Sequence, residues 1–263
     1  MGKEKLKRSL GFWDILMFGV GGIVGAGIYA IIGQAAGLSG NMLWASFAIA
    51  AAVALLTGLS YAEFVSRFPD AGGSFEYIKR GMNEKTALVM AIFIAFTGIV
   101  APAAIAISFA EYLSRLMNIP NWISVIAIVV AMATFNIIGS KISSYYNKFA
   151  TAITLLGLAL VIAFCIPDWG EVAYFEMGDE GFTGILAGSA LIFFSYVGFE
   201  DLVKMAEETK EPKKVLPKGV LFSGIIVFLL YVMIAISAVS TFSAGELAQK
   251  DGPLAAIIES QWG

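Results

Sequence analysis

A chain of 263 residues that is 59% hydrophobic and 14% charged, with a mean hydropathy of +0.82, has too little charge to clothe a water-facing surface, where about 25% is usual. Histidine is absent and Cys165 is the one cysteine, which excludes a disulfide framework and a cysteine-rich metal site. The net charge of −3 offers no nucleic-acid surface, and what remains is an all-α polytopic membrane protein.

The chain opens on a basic tail, Lys3, Lys5, Lys7 and Arg8, followed by a charge-free run over 15–62. A cleaved secretory signal has the same opening, but Asp14 interrupts it and the run far exceeds a signal core of about 7–15 residues, so the segment is expected to stay in the membrane. The run holds two spans divided by the turn GLSGN at 37–41. Further charge-free runs at 86–110, 116–140, 149–167, 181–199 and 219–245 can each cross about 30 Å of hydrocarbon as a helix. Seven transmembrane helices are predicted, and no β-barrel alternation is present.

Helix 1 contains GVGGIVGAGIYAIIG, residues 19–33. Glycine costs a helix interior about 1 kcal/mol against alanine. Gly21 and Gly25 have the four-residue spacing of close helix packing, so packing and a backbone break both account for this run. After helix 2 comes RFPDAGGSFEYIKRG, 67–81, where Pro69, Gly72 and Gly73 precede an amphipathic piece suited to an inner interface, expected to close an inner gate. Pro102 is expected to kink helix 3, and Glu111 with Arg115 reads as an exposed pair at its end. Trp44, Trp122 and Trp169 fall where interfacial aromatics sit.

Helix 6 carries Gly198 in mid-span, flanked by Phe194, Tyr196 and Phe199, with Glu200 and Asp201 directly after. Acids beside an apolar run mark function unless they begin the cytoplasmic end of the helix, where Lys204 lies one turn from Glu200. The charged stretch EETKEPKKVLPKG, 207–219, is an inner loop in which Pro212 and Pro217 are expected to end helix 6 and hold the next turn.

With the N-terminus inside, fifteen of the 17 Lys and Arg residues fall on the inner side and only Arg115 and Lys250 outside. Two interrupted spans, five apart and opposite in direction, point to a transporter site between inverted halves. Freed N–H groups at one half-helix favour an anion, and freed carbonyls at the other accept from an ammonium or metal ion, so a zwitterion suits both.

Three motifs in order, GGIVGAGIYAIIG (21–33), FPDAGGSFEYIKRGM (68–82) and FFSYVGFEDLVKMAEETKEPKKVLP (193–217), resemble the amino acid–polyamine–organocation (APC) superfamily. The first is similar to that family's broken helix 1, the second to its Pro-x-x-Gly-Gly-x-x-x-Tyr loop, the third to its helix 6. The resemblance runs from about Leu10 to the C-terminus and implies an amino acid permease of LeuT-like inverted-repeat fold. Within one transmembrane domain, 10–166 would form the first five-helix repeat and 181–243 the start of the second.

By the same resemblance the amides of Ala26 and Gly27, with Gly25 alongside, would hold a substrate carboxylate. Carbonyls of Ile23, Phe194 and Val197 would take the α-amino group, with Phe194 as the gate. Ser195, Tyr196 and Phe199 are further lining or gate residues, and Glu200 matches an acid implicated in proton coupling in some relatives. Where some proton-coupled relatives carry a helix 5 lysine this chain has Thr154, with Lys148 about 9 Å nearer the cytoplasm, so Na+ and H+ both stand as coupling ion and no other cofactor is implied.

The fold implied needs more spans than the seven predicted, and GPLAAIIESQWG (252–263) resembles the short outer helix before helix 8. A chain truncated after helix 7 and a natural half-size protein are both compatible; either is expected not to complete a transport cycle unaided. The expected function is secondary active import of a small to medium, apolar or zwitterionic amino acid across the cytoplasmic membrane. An exchanger and a non-transporting receptor or scaffold are the alternatives. A membrane enzyme is disfavoured because no metal-ligand cluster or nucleophile–base pair lies in a span.

Overall fold

A computed structural model describes residues 8–25, 27–68, 73–117, 119–138 and 140–262, the side chains of 115, 116, 136, 138 and 140–148 excepted. The helices are α1 (Phe12–Val24), α2 (Gly27–Ser39), α3 (Leu43–Arg67), α4 (Gly73–Gly81), α5 (Glu84–Met117) and α6 (Asn121–Ile138). They continue as α7 (Ser140–Cys165), α8 (Gly181–Ile192), α9 (Phe199–Lys204), α10 (Pro212–Thr241), α11 (Ala244–Gln249) and α12 (Pro253–Trp262). Among the described residues the extended pairings are two isolated bridges, Leu10 with Thr209 and Gly40 with Met177.

Among the described residues five helices are long and apolar enough to cross a membrane, and the α1–α2 pair, bent by 45°, makes a sixth crossing if read as one broken span. The predicted fourth span is the exception. Helix α5 continues through Glu111 to Met117, and Pro120 separates it from α6, whose described apolar stretch Asn121–Phe135 is shorter than a full crossing. Pro102 lies inside α5 without ending it.

The 6–7 loop also differs from expectation. Pro212 is the first residue of α10, and Pro217 lies inside that helix instead of holding the turn. A first-turn proline loses no internal bond because its missing N–H has no helical partner, and the preceding Glu211, at φ 46°, turns the chain into the helix.

The core forms where α10 packs along α3 and α1, with α2 laid against α8. Ile15, Ile23, Ile28, Ile32, Phe47, Leu202, Tyr231 and Ile234 are buried there. The apolar window of α5 is instead wholly unburied, a surface suited to lipid or to further helices.

Both ends of the bundle are tied. At one end Trp44 donates to the Tyr174 carbonyl (2.9 Å) and Trp169 to the Ser237 hydroxyl (3.2 Å), so two of the predicted interfacial tryptophans staple the segment before α8 to α3 and α10. On the other side Ser9 and Leu10 both donate backbone N–H to the Glu208 carbonyl, and Lys210 donates to the Leu10 carbonyl. Leu10→Pro removes one of these donors. It is expected to speed amide exchange at Lys210 about tenfold with little change in global unfolding, as read by hydrogen–deuterium exchange.

Candidate functional site

Helix α1 ends at Val24, and Gly25 leaves helical geometry at φ −4°, ψ −160°. Helix α8 ends at Ile192, a 3-10 turn runs over Phe193–Tyr196, Val197 is extended, and α9 starts after Gly198. Both predicted breaks are present, and they meet. A Cβ on Gly198 would lie 3.1 Å from the Gly22 carbonyl carbon and oxygen and from Ile23 Cα, and one on Gly27 would lie 3.0 Å from Ser195 Cα. As the chain runs from 22 to 27, its neighbour runs from 198 back to 195, so the broken segments cross antiparallel at backbone contact. Only residues without a side chain permit that approach.

A break in a membrane helix frees carbonyls that need partners. The Phe194 carbonyl accepts from Val197 N–H at 3.3 Å. The carbonyls of Ile23 and Ser195 both face one group, the hydroxyl of Tyr231 on α10, at 3.3 and 3.2 Å. Tyr231 is fully buried, its ring edge-on to Phe47 (5.6 Å) and Tyr196 (5.1 Å), while the Tyr196 hydroxyl donates to the Phe47 carbonyl (3.3 Å). These three rings form a wedge behind both breaks. The Ser195 hydroxyl, 1% exposed, has no hydrogen-bond partner and lies beside Gly27 at the start of α2.

Beside the helix 6 break, at Phe194, a cavity of about 830 Å³ opens between α2, α5 and α8. Its wall is apolar, with Ile31, Phe93, Phe96, Ile107 and Phe194, and its polar groups are Gln34, Thr97, Ser108 and Glu111. The Ser108 hydroxyl is buried and unpartnered.

Of the predicted site residues, Ile23, Gly25, Gly27, Phe194, Ser195 and Val197 converge on the crossing, and Ala26 lies outside the described residues. Phe194 lines the cavity. Tyr196 and Phe199 are instead in the core, Tyr196 in the aromatic wedge and Phe199 against Gly58 and Gly224. Thr154, half-buried on α7, accepts at its carbonyl from the Tyr29 hydroxyl (3.3 Å) beside the helix 1 break, and the Tyr29 carbonyl accepts from Tyr112 of α5 (3.2 Å).

Glu200 does not reach the crossing. It pairs with Lys204 (3.5 Å), which also holds Asp201 (3.1 Å), and its carboxylate sits near Gly73 where α4 begins. There the Tyr61 and Ser74 hydroxyls share a 2.5 Å hydrogen bond, Tyr77 stacks on Phe64 at 5.2 Å, and the Arg80 guanidinium lies over the Phe68 ring at 4.7 Å. The predicted amphipathic piece is thus a helix docked against α5 and α9, with its tyrosine and serine on α3; Pro69 and Gly72, like Lys141, Lys148 and Arg115 by side chain, lie outside the described residues.

Sequence reasoning missed Tyr231 and Glu111. A tyrosine deep in an apolar span carries a hydroxyl that must find an acceptor, which was the available signal for the first. Glu111, expected in an exposed pair, lines the cavity.

The profile of the amino acid permease family matches residues 10–263. The branched-chain amino acid permease BcaP of Bacillus subtilis is 28% identical over 284 residues, covering 98% of this chain and 60% of the relative. Cationic amino acid transporter 5 of Arabidopsis thaliana is 31% identical over 255 residues, covering 89% of this chain and 44% of its own. The chloroplastic cationic amino acid transporter 7 of the same plant is 30% identical, covering 99% and 49%. The chain therefore spans about half the length of the curated relatives it matches.

Proposed function

This chain belongs to the amino acid permease family, a family of carriers and not of enzymes, and from that premise we propose that it forms the substrate-binding core of a secondary active transporter importing amino acids. The observation that carries the reading is the antiparallel crossing of the two broken helices, with Gly198 against the backbone of Gly22 and Ile23 and Gly27 against that of Ser195. At such a crossing the N-terminus of α2 offers N–H groups to a carboxylate, and the carbonyls of Ile23, Phe194 and Val197 receive an ammonium. The unpartnered Ser195 hydroxyl beside Gly27 supplies a further polar contact.

The rest of the reading follows from charge and order. The basic inner segments orient the N-terminus to the cytoplasm in the cytoplasmic membrane. Residues 10–166 form a first repeat and 181–243 begin its inverted counterpart, with α1–α2 and α8–α9 as the paired broken spans. Thr154, whose carbonyl accepts from Tyr29 on α2, is our candidate for a sodium site. Glu200, ion-paired with Lys204 beside α4, is our candidate for proton coupling.

The cavity wall favours an apolar side chain. A second reading, a cationic substrate, rests on Glu111 among the cavity's polar groups. Equilibrium binding of radiolabelled L-leucine and L-lysine to the purified chain in nanodiscs decides between them. Leucine is expected to bind and to be displaced by neutral amino acids. If lysine binds better, and Glu111→Gln weakens lysine about tenfold while sparing leucine, the cationic reading replaces it. Binding of neither overturns the amino acid assignment and leaves a receptor or scaffold; counterflow into liposomes that needs an internal amino acid indicates exchange.

A further inference from the structure

Tyr231 faces two buried carbonyls with one proton. Its hydroxyl is 3.3 Å from the Ile23 oxygen and 3.2 Å from the Ser195 oxygen, one on each broken helix. A phenol donates one hydrogen bond, so the two acceptors divide what one needs in full. The shortfall sits where both breaks meet, in a setting where Phe47 and Tyr196 close the rear and exclude water. An incoming donor to the Ile23 carbonyl would displace only the shared half of the Tyr231 hydrogen bond.

Resting on the amino acid reading above, we propose that the Tyr231 hydroxyl is an exchangeable stand-in for the ligand's α-ammonium group. In the empty site it bridges the Ile23 and Ser195 carbonyls and so clips both breaks to α10. When an ammonium donates to the Ile23 carbonyl, the phenol proton turns wholly to Ser195. The tie from α1 to α10 is then released, while the tie from the helix 6 break to α10 tightens. Tyr231 is thus a positioning residue that senses whether a donor is present and need not touch the rest of the ligand.

This arrangement gives removal and strengthening of the hydroxyl opposite effects. Tyr231→Phe deletes the competitor for the Ile23 carbonyl and is expected to tighten L-leucine or L-lysine binding about fivefold. Tyr231→3-fluorotyrosine, the same size with a stronger donor, is expected to weaken it about twofold. The des-amino counterparts, 4-methylpentanoate and 6-aminohexanoate, bring no α-ammonium and are expected to bind the three chains alike.

The measurement is equilibrium binding to the purified 263-residue chain in nanodiscs, with a thermal unfolding transition recorded for each variant. Opposite signs in the two variants, seen with amino acids only, support the proposal. Weakening in both, identical affinities, or equal tightening of the des-amino compounds overturns it and leaves Tyr231 a structural support. Should Tyr231→Phe fail to fold, the fluorotyrosine chain decides by the same comparison: unchanged or tighter amino acid binding overturns the proposal. Failure of the unsubstituted chain to bind either amino acid sinks the underlying reading, and the proposal with it, a result distinct from binding that ignores residue 231.

Discussion

Gly198→Val is expected to abolish amino acid binding, lowering affinity at least about a hundredfold, while the chain still inserts in the membrane. The Cβ alone would meet the Gly22 carbonyl carbon and oxygen and Ile23 Cα at 3.1 Å, and valine adds two methyl groups beyond it. All three neighbours are backbone, so no side chain can swing away. The two segments must separate, at a cost of about 1–3 kcal/mol from overpacking, and the separation opens the space across which both would grip one small ligand. Gly198→Ala, one carbon, should show the same defect in weaker form. Equilibrium binding in nanodiscs reads both, and valine-bearing protein with unaltered affinity would remove the crossing from the site.

Phe47→Ala is expected to be the most destabilising single truncation near the site, costing about 3–5 kcal/mol. The Phe47 side chain is wholly buried and meets the Tyr231 ring edge-on at 5.6 Å. Its loss leaves a void directly behind both breaks, and Tyr231 loses the wall that aims its hydroxyl. Thermal unfolding in detergent should show a transition lowered by several degrees. Phe47→Leu, which keeps most of the volume, should recover more than half of the loss.

Much of this architecture could be read from the chain because the bilayer forbids unsatisfied backbone. A glycine cluster inside a charge-free run, matched by a second break at Gly198, has few structural meanings, and the crossing confirmed that both helices fail where those residues lie. Charge also marked spans well, except around 111–120, where Glu111 stays in helix and Pro120 sets the real boundary. Pro217 misled because a proline near the start of a helix looks like one beyond the end of its predecessor; only the placement of Glu211 at positive φ shows which. Tyr231, Phe47 and Glu111 were not legible as site residues. Their roles depend on which helices become neighbours, and periodicity reports which residues share a face without naming the partner across it. Tyr196 and Phe199 sit within the helix 6 motif, yet the 3-10 turn and the extended Val197 rotate them into the core while Phe194 faces the cavity.

The short ladder joining Ser9 and Leu10 to Glu208 and Lys210 has a mechanical corollary. It splints the foot of α1 to the segment that follows α9, so the two half-helices below the breaks are levers bolted together at their far ends. Pivoting one about Gly25 drags the other about Gly198 unless three backbone hydrogen bonds break first. Motion of this half of the molecule thereby collapses toward a single degree of freedom, and a push delivered anywhere on either lever is felt at both fulcrums.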